Sequence, residues 1–284
     1  MRLSVIDAGN FKLDGGAMFG VVPKSIWNKS IPADENNMCN FKMRCLLVEE
    51  GSRLVLIDTG MGEKQPEKWQ SYYYRNGDGE LKKSIREAGY DVSEVTDVIL
   101  SHLHFDHCGG AVEWNPAKEF YRPVFPGAKY WTHSAHYESA IHPNAREKAT
   151  FLEENIQPLV QAGQLCFLDK DPQAFSDSFE FTYTDGHTEK MIMTLIRYQD
   201  KKIMFAADTV PTYAHIHIPY VMSYDIAPLR SMEEKKVLLD RLIREDIVLF
   251  FDHDVAHEAC RIVETDRGYR PGDMGSLGDF GLKF

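Results

Sequence analysis

The segment Ser101–Gly110, which reads SHLHFDHCGG, constrains this 284-residue chain more than any other part of it. It places three imidazoles and one carboxylate within six consecutive positions. A hydrophobic core cannot accept that density of polar groups, because burying each one without a partner costs about 2–7 kcal/mol. A divalent cation would supply the missing partner. We therefore interpret the segment as a metal-binding loop.

The spacing within the loop indicates more than one ion. His102 and His104 are two residues apart, so on an extended stretch they share a face. Asp106 and His107 follow at once, and a turn at Gly109–Gly110 would direct them toward a neighbouring point. Four ligands from one short loop would crowd a single ion. Two ions that share the loop are the easier arrangement.

Further candidate ligands lie where later β-like segments end. His187 follows Asp185-Gly186, Asp208 closes the run 204–207, and His253 closes the run 247–252. The carboxylate of Asp208 could bridge two ions through its two oxygens. The candidate ligands are then five histidines and two aspartates: His102, His104, Asp106, His107, His187, Asp208 and His253. This all-nitrogen-and-oxygen set suits Zn, Mn, Fe or Co, and the sequence does not choose among them.

The rest of the chain alternates short β-like runs with helical ones, which predicts sheets covered by helices. We expect hairpins from Leu46–Val48 with Leu54–Ile57 and from Ile192–Ile196 with Ile203–Ala206, short strands at Val98–Leu100 and Ile247–Phe251, and a helix over 81–88. Ser231 and Glu234 form a possible capping box for a helix that reaches about Arg244. The glycine-rich segment after Arg267 predicts an irregular tail.

Composition excludes several classes of protein. The net charge of −11 argues against a nucleic-acid-binding surface, and no apolar run approaches the ~18 residues of a membrane helix. The N-terminus lacks the basic and apolar pattern of a secretory signal. Five scattered cysteines do not form a disulfide framework. We expect a cytoplasmic protein that acts on a small molecule without nucleic acid or membrane.

The order of these motifs resembles the metallo-β-lactamase superfamily. The leader Leu56–Gly60, the His-x-His-x-Asp-His run, the Gly-His pair, the isolated Asp208 and the late His253 occur in that order. The resemblance implies an α/β fold, the αββα four-layer sandwich, formed by residues 1–284 as a single domain. It further implies one ion on His102, His104 and His187, a second on Asp106, His107 and His253, with Asp208 as the bridge. Asp58 would orient the loop that carries the histidines.

Within the superfamily, the chain is most similar to the branch of N-acyl homoserine lactonases, the quorum-quenching lactonases, and their methyl-parathion-hydrolase relatives. The similarity includes the segments Leu13–Gly20, Val22–Lys24 with Trp27, Asp208–His215 and Val221–Asp225. It implies that an N-terminal loop over 10–40 lines the pocket. Met18, Phe19, Trp27 and Met222 would form a wall that suits an acyl chain.

Two departures from that branch leave catalytic roles open. Many relatives have a second histidine four residues after the Gly-His ligand, where this chain has Met191. Some have a tyrosine directly after the bridging aspartate that donates to the substrate carbonyl, whereas here Tyr213 lies further along. That role falls to His215, Tyr213 or another group. Asp106 could pass a proton to the leaving alkoxide.

These observations predict a metal-dependent hydrolase with two divalent ions, zinc first among them. One zinc ion alone lowers the pKa of bound water to about 7, so a hydroxide bridging two ions could attack a lactone or ester carbonyl. We expect a lactonase that opens N-acyl homoserine lactones. Another carboxylester or phosphotriester hydrolase, a thioester hydrolase of the glyoxalase II type and a non-enzymatic metal-binding protein are the alternatives. A homodimer is expected from the look-alikes.

Overall fold

The computed structural model describes residues 1–282 as two compact units. The first comprises Met1–Asn10 and Met43–Ala174, and the second comprises Phe11–Lys42 and residues 175–282. The strands are β1 (Arg2–Asp14), β2 (Met38–Glu50), β3 (Arg53–Ile57), β4 (Asp97–Ile99), β5 (Val112–Trp114), β6 (Tyr121–Pro123), β7 (Lys129–Thr132), β8 (Leu165–Phe167), β9 (Phe179–Thr184), β10 (Met191–Tyr198), β11 (Lys201–Phe205), β12 (Val248–Phe250), β13 (Ala259–Thr265) and β14 (Gly268–Gly275). The α-helices are α1 (Gly15–Phe19), α2 (Lys24–Trp27), α3 (Glu67–Ser71), α4 (Leu81–Glu87), α5 (Phe105–Cys108), α6 (Ser134–Ile141), α7 (Glu153–Gln161) and α8 (Pro228–Arg244).

The first unit is organised around a six-stranded sheet with the order β1-β2-β3-β4-β7-β8. The expected hairpin of β2 and β3 is confirmed, with Leu46 opposite Ile57. From β3 to β8 the neighbouring strands are parallel, so helical crossovers connect them. The carboxyl ends of parallel strands meet at one edge of a sheet. Asp58 after β3 and the segment 100–107 after β4 therefore lie at that same edge.

The second unit contains another six-stranded sheet, with the order β14-β13-β12-β11-β10-β9. The expected hairpin of β10 and β11 is confirmed, and Gln199 in its turn has a φ of 55°. β11 and β12 are parallel, and α8 is the crossover between them. Asp208 and His253 follow these two strands, so the sheet brings both to one edge.

Helix α8 buries one face against the second sheet. Its buried positions include Lys235, Leu238, Leu239 and Leu242, whose spacing of three and four residues is that of an amphipathic helix. The leucines pack in one core cluster with residues of β11 and β12 such as Met204 and Leu249. Each such leucine contributes about 1.5–3 kcal/mol through its burial.

Three expectations about local structure were wrong. Helix α8 begins at Pro228, not at Ser231, because proline is favourable at a first helical position and Ser231 lies within the first turns. Glu234 instead accepts hydrogen bonds from the backbone N–H groups of Asp185 and Gly186. The segment after Arg267 is not an irregular tail, since 268–275 forms strand β14 paired with β13.

The third correction concerns the N-terminal segment 10–40, which was expected to be a loop. Residues up to Asp14 belong to strand β1, helices α1 and α2 follow, and β2 begins at Met38. Over residues 1–282, no helix is both long and apolar enough to cross a bilayer. None of the five cysteines forms a disulfide in that part of the chain.

Candidate metal centre

The histidine-rich segment lies in the first unit, directly after strand β4. His104 is the N-cap of the one-turn helix α5, and Asp106 and His107 lie within that helix. His102 is fully buried, and none of the four residues is more than 9% exposed. The ring of His102 is 4.5 Å from that of His104 and 4.0 Å from that of His107, measured between centroids. The segment therefore gathers three imidazoles and a carboxylate in one buried place, as its spacing predicts.

Asp58 fixes this segment from the end of the neighbouring strand. Its Oδ1 accepts a hydrogen bond from the Ser101 backbone N–H at 2.7 Å, and its Oδ2 accepts from the Ser101 hydroxyl at 2.7 Å. The same Oδ2 lies 2.9 Å from Nδ1 of His107. Asp58 has a φ of 59°, a conformation that costs a non-glycine residue energy. These contacts support the orienting role that the resemblance implies for Asp58, and that role stays a prediction.

Two further buried residues hold the histidine segment, and sequence reasoning missed both roles. Glu147 places Oε1 3.4 Å from Nε2 of His104. His136 is fully buried and its Nε2 accepts a hydrogen bond from the backbone N–H of Leu103 at 2.8 Å. The sequence offered no local signal for either contact, because both residues are more than 30 positions from their partners.

The second unit brings the later candidate ligands together around Asp208. Its Oδ2 lies 3.0 Å from Nε2 of His187, and its Oδ1 lies 3.2 Å from Nε2 of His253. All three side chains are buried. Asp252, which sequence reasoning did not select, also offers an oxygen within 4.8 Å of the ligand atoms of Asp208 and His253. The two oxygens of Asp208 thus face different histidines, which is the arrangement that a bridging carboxylate requires.

The two histidines of this unit are oriented by groups that engage Nδ1. Nδ1 of His187 lies 2.9 Å from Oδ1 of the buried Asp225, and Nδ1 of His253 lies 2.7 Å from the carbonyl oxygen of Lys42. Burial would lower the pKa of His187, but Asp208 and then Asp225 outweigh it and raise that pKa to about 10. The position around Nε2 of His187 is therefore strongly attractive to positive charge.

His215 and Tyr213, the candidate donors to a substrate carbonyl, are engaged elsewhere in this structure. Nε2 of His215 lies 2.9 Å from the carbonyl oxygen of Met18, and Nδ1 lies 2.7 Å from the hydroxyl of Thr212. Burial and then Lys235 lower the pKa of His215 to about 3, so the ring is neutral. The Tyr213 hydroxyl donates to the carbonyl oxygen of Ser30 at 2.8 Å. A donor role for either residue requires these bonds to open, and it stays a prediction.

The four residues expected to line an acyl pocket are all buried in the second unit: Met18, Phe19, Trp27 and Met222. Phe19 stacks between Trp27, at 5.0 Å, and His215, at 4.7 Å, with nearly parallel rings. The stack joins the N-terminal helices to the segment after Asp208. These contacts support a packing role, and contact with substrate stays a prediction.

The donor sets fit divalent metal ions. Both consist of buried imidazole nitrogens and carboxylate oxygens, the ligands that zinc and similar ions prefer. At His107, His187 and His253 a carboxylate or carbonyl oxygen holds Nδ1, as is usual for metal-binding histidines. Such histidine and aspartate sets, at the edges of two mixed sheets, are those of a metallohydrolase.

The comparison with known families supports the assignment to a metallohydrolase. The sequence profile of the Metallo-beta-lactamase superfamily matches residues 44–253, and the chain belongs to that superfamily. The chain is 23% identical over 239 residues to N-acyl homoserine lactonase AiiA of Bacillus thuringiensis subsp. kurstaki. The aligned region covers 79% of this chain and 86% of that lactonase.

Solved structures show the same fold. A probable metal-dependent hydrolase from Staphylococcus aureus superposes with a TM-score of 0.85 at 25% identity, covering 96% of this chain and 95% of that one. AidC, described as a dizinc quorum-quenching lactonase, superposes with a TM-score of 0.77 at 22% identity over 95% and 93% of the two chains. The metallo-β-lactamase fold predicted from the motifs is confirmed. The chain is a metallohydrolase related to N-acyl homoserine lactonases at modest identity.

Proposed function

We propose that this protein is a lactonase that opens N-acyl homoserine lactones or similar lactones. The observation that carries the proposal is the similarity to N-acyl homoserine lactonases over 79% of the chain, combined with buried donor sets that suit divalent ions. Zinc is the ion proposed first, because the ligands are rich in imidazole and AidC is described as a dizinc lactonase. Cytoplasmic location and a homodimer stay predictions.

We propose that one ion is held by His102, His104 and His187 and the second by Asp106, His107 and His253. Asp208 would bridge them, which its two separately directed oxygens support. When bound, the ions supply Lewis acidity and lower the pKa of a water molecule. Residues 1–284 are proposed to act as one hydrolase domain.

The protein's own side chains have distinct proposed tasks. Asp58 and Asp225 keep the rings of His107 and His187 in fixed orientations through Nδ1. A carboxyl oxygen of Asp106 would carry a proton to the oxygen of the departing alkoxide. His215 is neutral, so as a donor to the substrate carbonyl it would act through Nε2–H once the bond to Met18 opens. A single donor of this kind is worth about 10²–10³ in rate.

The test is a metal assay on the purified chain followed by a substrate panel at matched pH. The panel contains acyl homoserine lactones of several chain lengths, a linear carboxylester, a phosphotriester and a thioester. We expect bound divalent metal and a proton-release signal that is largest for the lactones. Asp208→Ala should abolish turnover, and the exposed Asp200→Ala in the β10–β11 turn should leave it unchanged.

Other outcomes distinguish the alternatives. Preference for the ester or the phosphotriester would move the assignment to another hydrolase of the same branch, and preference for the thioester would overturn it. A metal-loaded protein that is inert to the whole panel would indicate a metal-binding protein without this activity. An active Asp208→Ala variant would contradict the metal centre itself.

A further inference from the structure

A cavity lies within the first unit, and its lining includes none of the proposed metal ligands. Its volume is about 300 Å³. Apolar side chains, among them Leu81 and Trp114, form part of its lining, together with the backbone around Gly62 and Gly110. Four basic side chains from separate parts of the chain also line it: Lys64, Arg75, Lys82 and Lys118. Three acidic residues complete the charged part of the lining, so the cavity combines an apolar wall with four basic and three acidic side chains: the acidic ones are Glu63, Glu80 and Glu113.

Lys64 is the unusual member of this set. It is only 6% exposed, and its Nζ donates to the carbonyl oxygen of Gly109. Within residues 1–282, no carboxylate lies at ion-pair distance from this ammonium, although an ammonium can donate three hydrogen bonds. Burial lowers the pKa of Lys64 to about 8. A buried cation without an ion-pair partner is costly. The charge of Glu154 offsets part of that cost, and an anion in the cavity would reduce it further.

The acidic side chains of the lining do not supply the counter-charge. Glu63 pairs with Arg75 at 3.0 Å. Glu113 pairs with Lys82 and, at 2.8 Å, with Arg122 outside the cavity. Both carboxylates are thus paired with other cations. The third acidic residue of the lining, Glu80, is exposed to solvent and forms no ion pair with Lys64 within residues 1–282.

We propose that this cavity binds a small organic oxyanion, a carboxylate or a phosphate monoester carried on an apolar or aromatic body. Its charged group would lie against Lys64 and Lys118, since lysine binds phosphate and carboxylate as a point charge. Its body would lie against Leu81 and Trp114. The volume is at the lower end of the roughly 300–1,000 Å³ typical of ligand pockets, which favours a small molecule.

The experiment is a calorimetric titration of the metal-loaded full chain with phenyl phosphate, benzoate and inorganic phosphate. We expect saturable binding of phenyl phosphate or benzoate, and the stronger of the two identifies the charged group. Lys64→Met and Lys118→Gln should each weaken that binding at least about tenfold. The matched control is Lys83→Gln, which removes an exposed lysine outside the cavity and should bind as the unsubstituted chain does.

Asp208→Ala separates this site from the metal centre, where an anion could also bind. Retained binding in Asp208→Ala together with weakened binding in the lysine variants supports the proposal. Binding that vanishes in Asp208→Ala but persists in both lysine variants overturns it, as does the absence of binding by either organic anion. Should Lys64→Met fail to fold, Lys118→Gln decides alone, because that side chain is exposed.

Discussion

At the scale of single residues, the candidate metal centre depends on groups that are not ligands. Asp225 is 4% exposed, and its Oδ1 lies 2.9 Å from Nδ1 of His187. The carbonyl oxygen of Lys42 contacts Nδ1 of His253 in the same way, at 2.7 Å. Such partners fix the orientation and basicity of a metal-binding imidazole. The proposed ligands could be selected from the sequence because their types and spacing are unusual. The sequence could not reveal Asp225, since a lone aspartate 38 positions away has no distinguishing pattern.

The first prediction concerns that aspartate. Asp225→Asn removes the negative charge that holds the ring of His187, so we expect metal affinity to fall about 10–100-fold. The measurement is competition for zinc with a chelating dye. Asp200→Asn, in an exposed turn, is the control and should retain full affinity. Equal affinities of the two variants would show that Asp225 does not position the ligand.

The second prediction concerns Lys235, whose Nζ is buried and donates to the carbonyl oxygens of His215 and Tyr220 at 2.9 and 2.7 Å. Burial lowers its pKa from 10.5 to about 7. Between these pH values the unfolded chain holds a proton that the folded chain does not. The free energy of unfolding should therefore rise with pH by up to about 1.4 kcal/mol per unit from this group.

Urea unfolding of the unsubstituted chain and of Lys235→Met, from pH 7 to pH 10, tests whether the free energy of unfolding rises with pH. The free-energy difference between the two should grow in favour of the unsubstituted chain as the pH rises. Lys83→Met, at an exposed lysine, should give a difference that is constant over the range. A constant difference for Lys235→Met as well would contradict a depressed pKa.

At the scale of elements, close backbone packing supports the histidine segment. A Cβ added at Gly109 would lie 2.3 Å from the carbonyl oxygen of Met61, and one added at Gly110 would lie 2.1 Å from that of Thr59. Thr59 in turn donates from its backbone N–H to the carbonyl oxygen of His107 at 2.8 Å. The backbone of segment 59–62 therefore packs closely against the residues that follow helix α5.

The third prediction follows from this contact. Gly109→Ala should lower the free energy of unfolding by about 1–3 kcal/mol or more, because a backbone carbonyl cannot move aside as a flexible side chain can. Gly127→Ala is the matched control, since a Cβ there meets nothing within 4 Å, and it should change stability by less than about 0.5 kcal/mol. Equal stability of both variants in urea would contradict the packing.

The elements also show how far local sequence pattern can predict the fold. Both hairpins followed from paired apolar runs, because such runs specify their own partner across a short turn. The start of α8 and the presence of strand β14 could not be predicted from local pattern. Ser231 and Glu234 have the spacing of a capping box, but the Glu234 carboxylate instead accepts hydrogen bonds from the backbone N–H groups of 185–186. The glycines of 268–275 suggest irregular structure, and pairing with β13 overrides that local preference.

At the scale of the whole molecule, the proposed ligands extend from residue 102 to residue 253. Ions that bind only the folded chain should stabilise all the elements that supply those ligands. At a free metal concentration 1,000 times the Kd, this stabilisation is about 4 kcal/mol. Removal of metal with a chelator should then lower the Tm by roughly 8–16 °C. Differential scanning calorimetry of the same preparation before and after chelation measures the shift, and added zinc should restore it.

Asp208→Ala is the decisive comparison for this fourth prediction, because it removes the residue proposed to bridge both ions. Its Tm should already be low, and chelation should lower it by less than half as much as in the unsubstituted chain. A shift of equal size in both proteins would place the stabilising metal somewhere other than at Asp208. No shift in either would mean that the buried imidazoles and carboxylates stabilise one another without an ion, and the proposed hydrolytic centre would lose its physical basis.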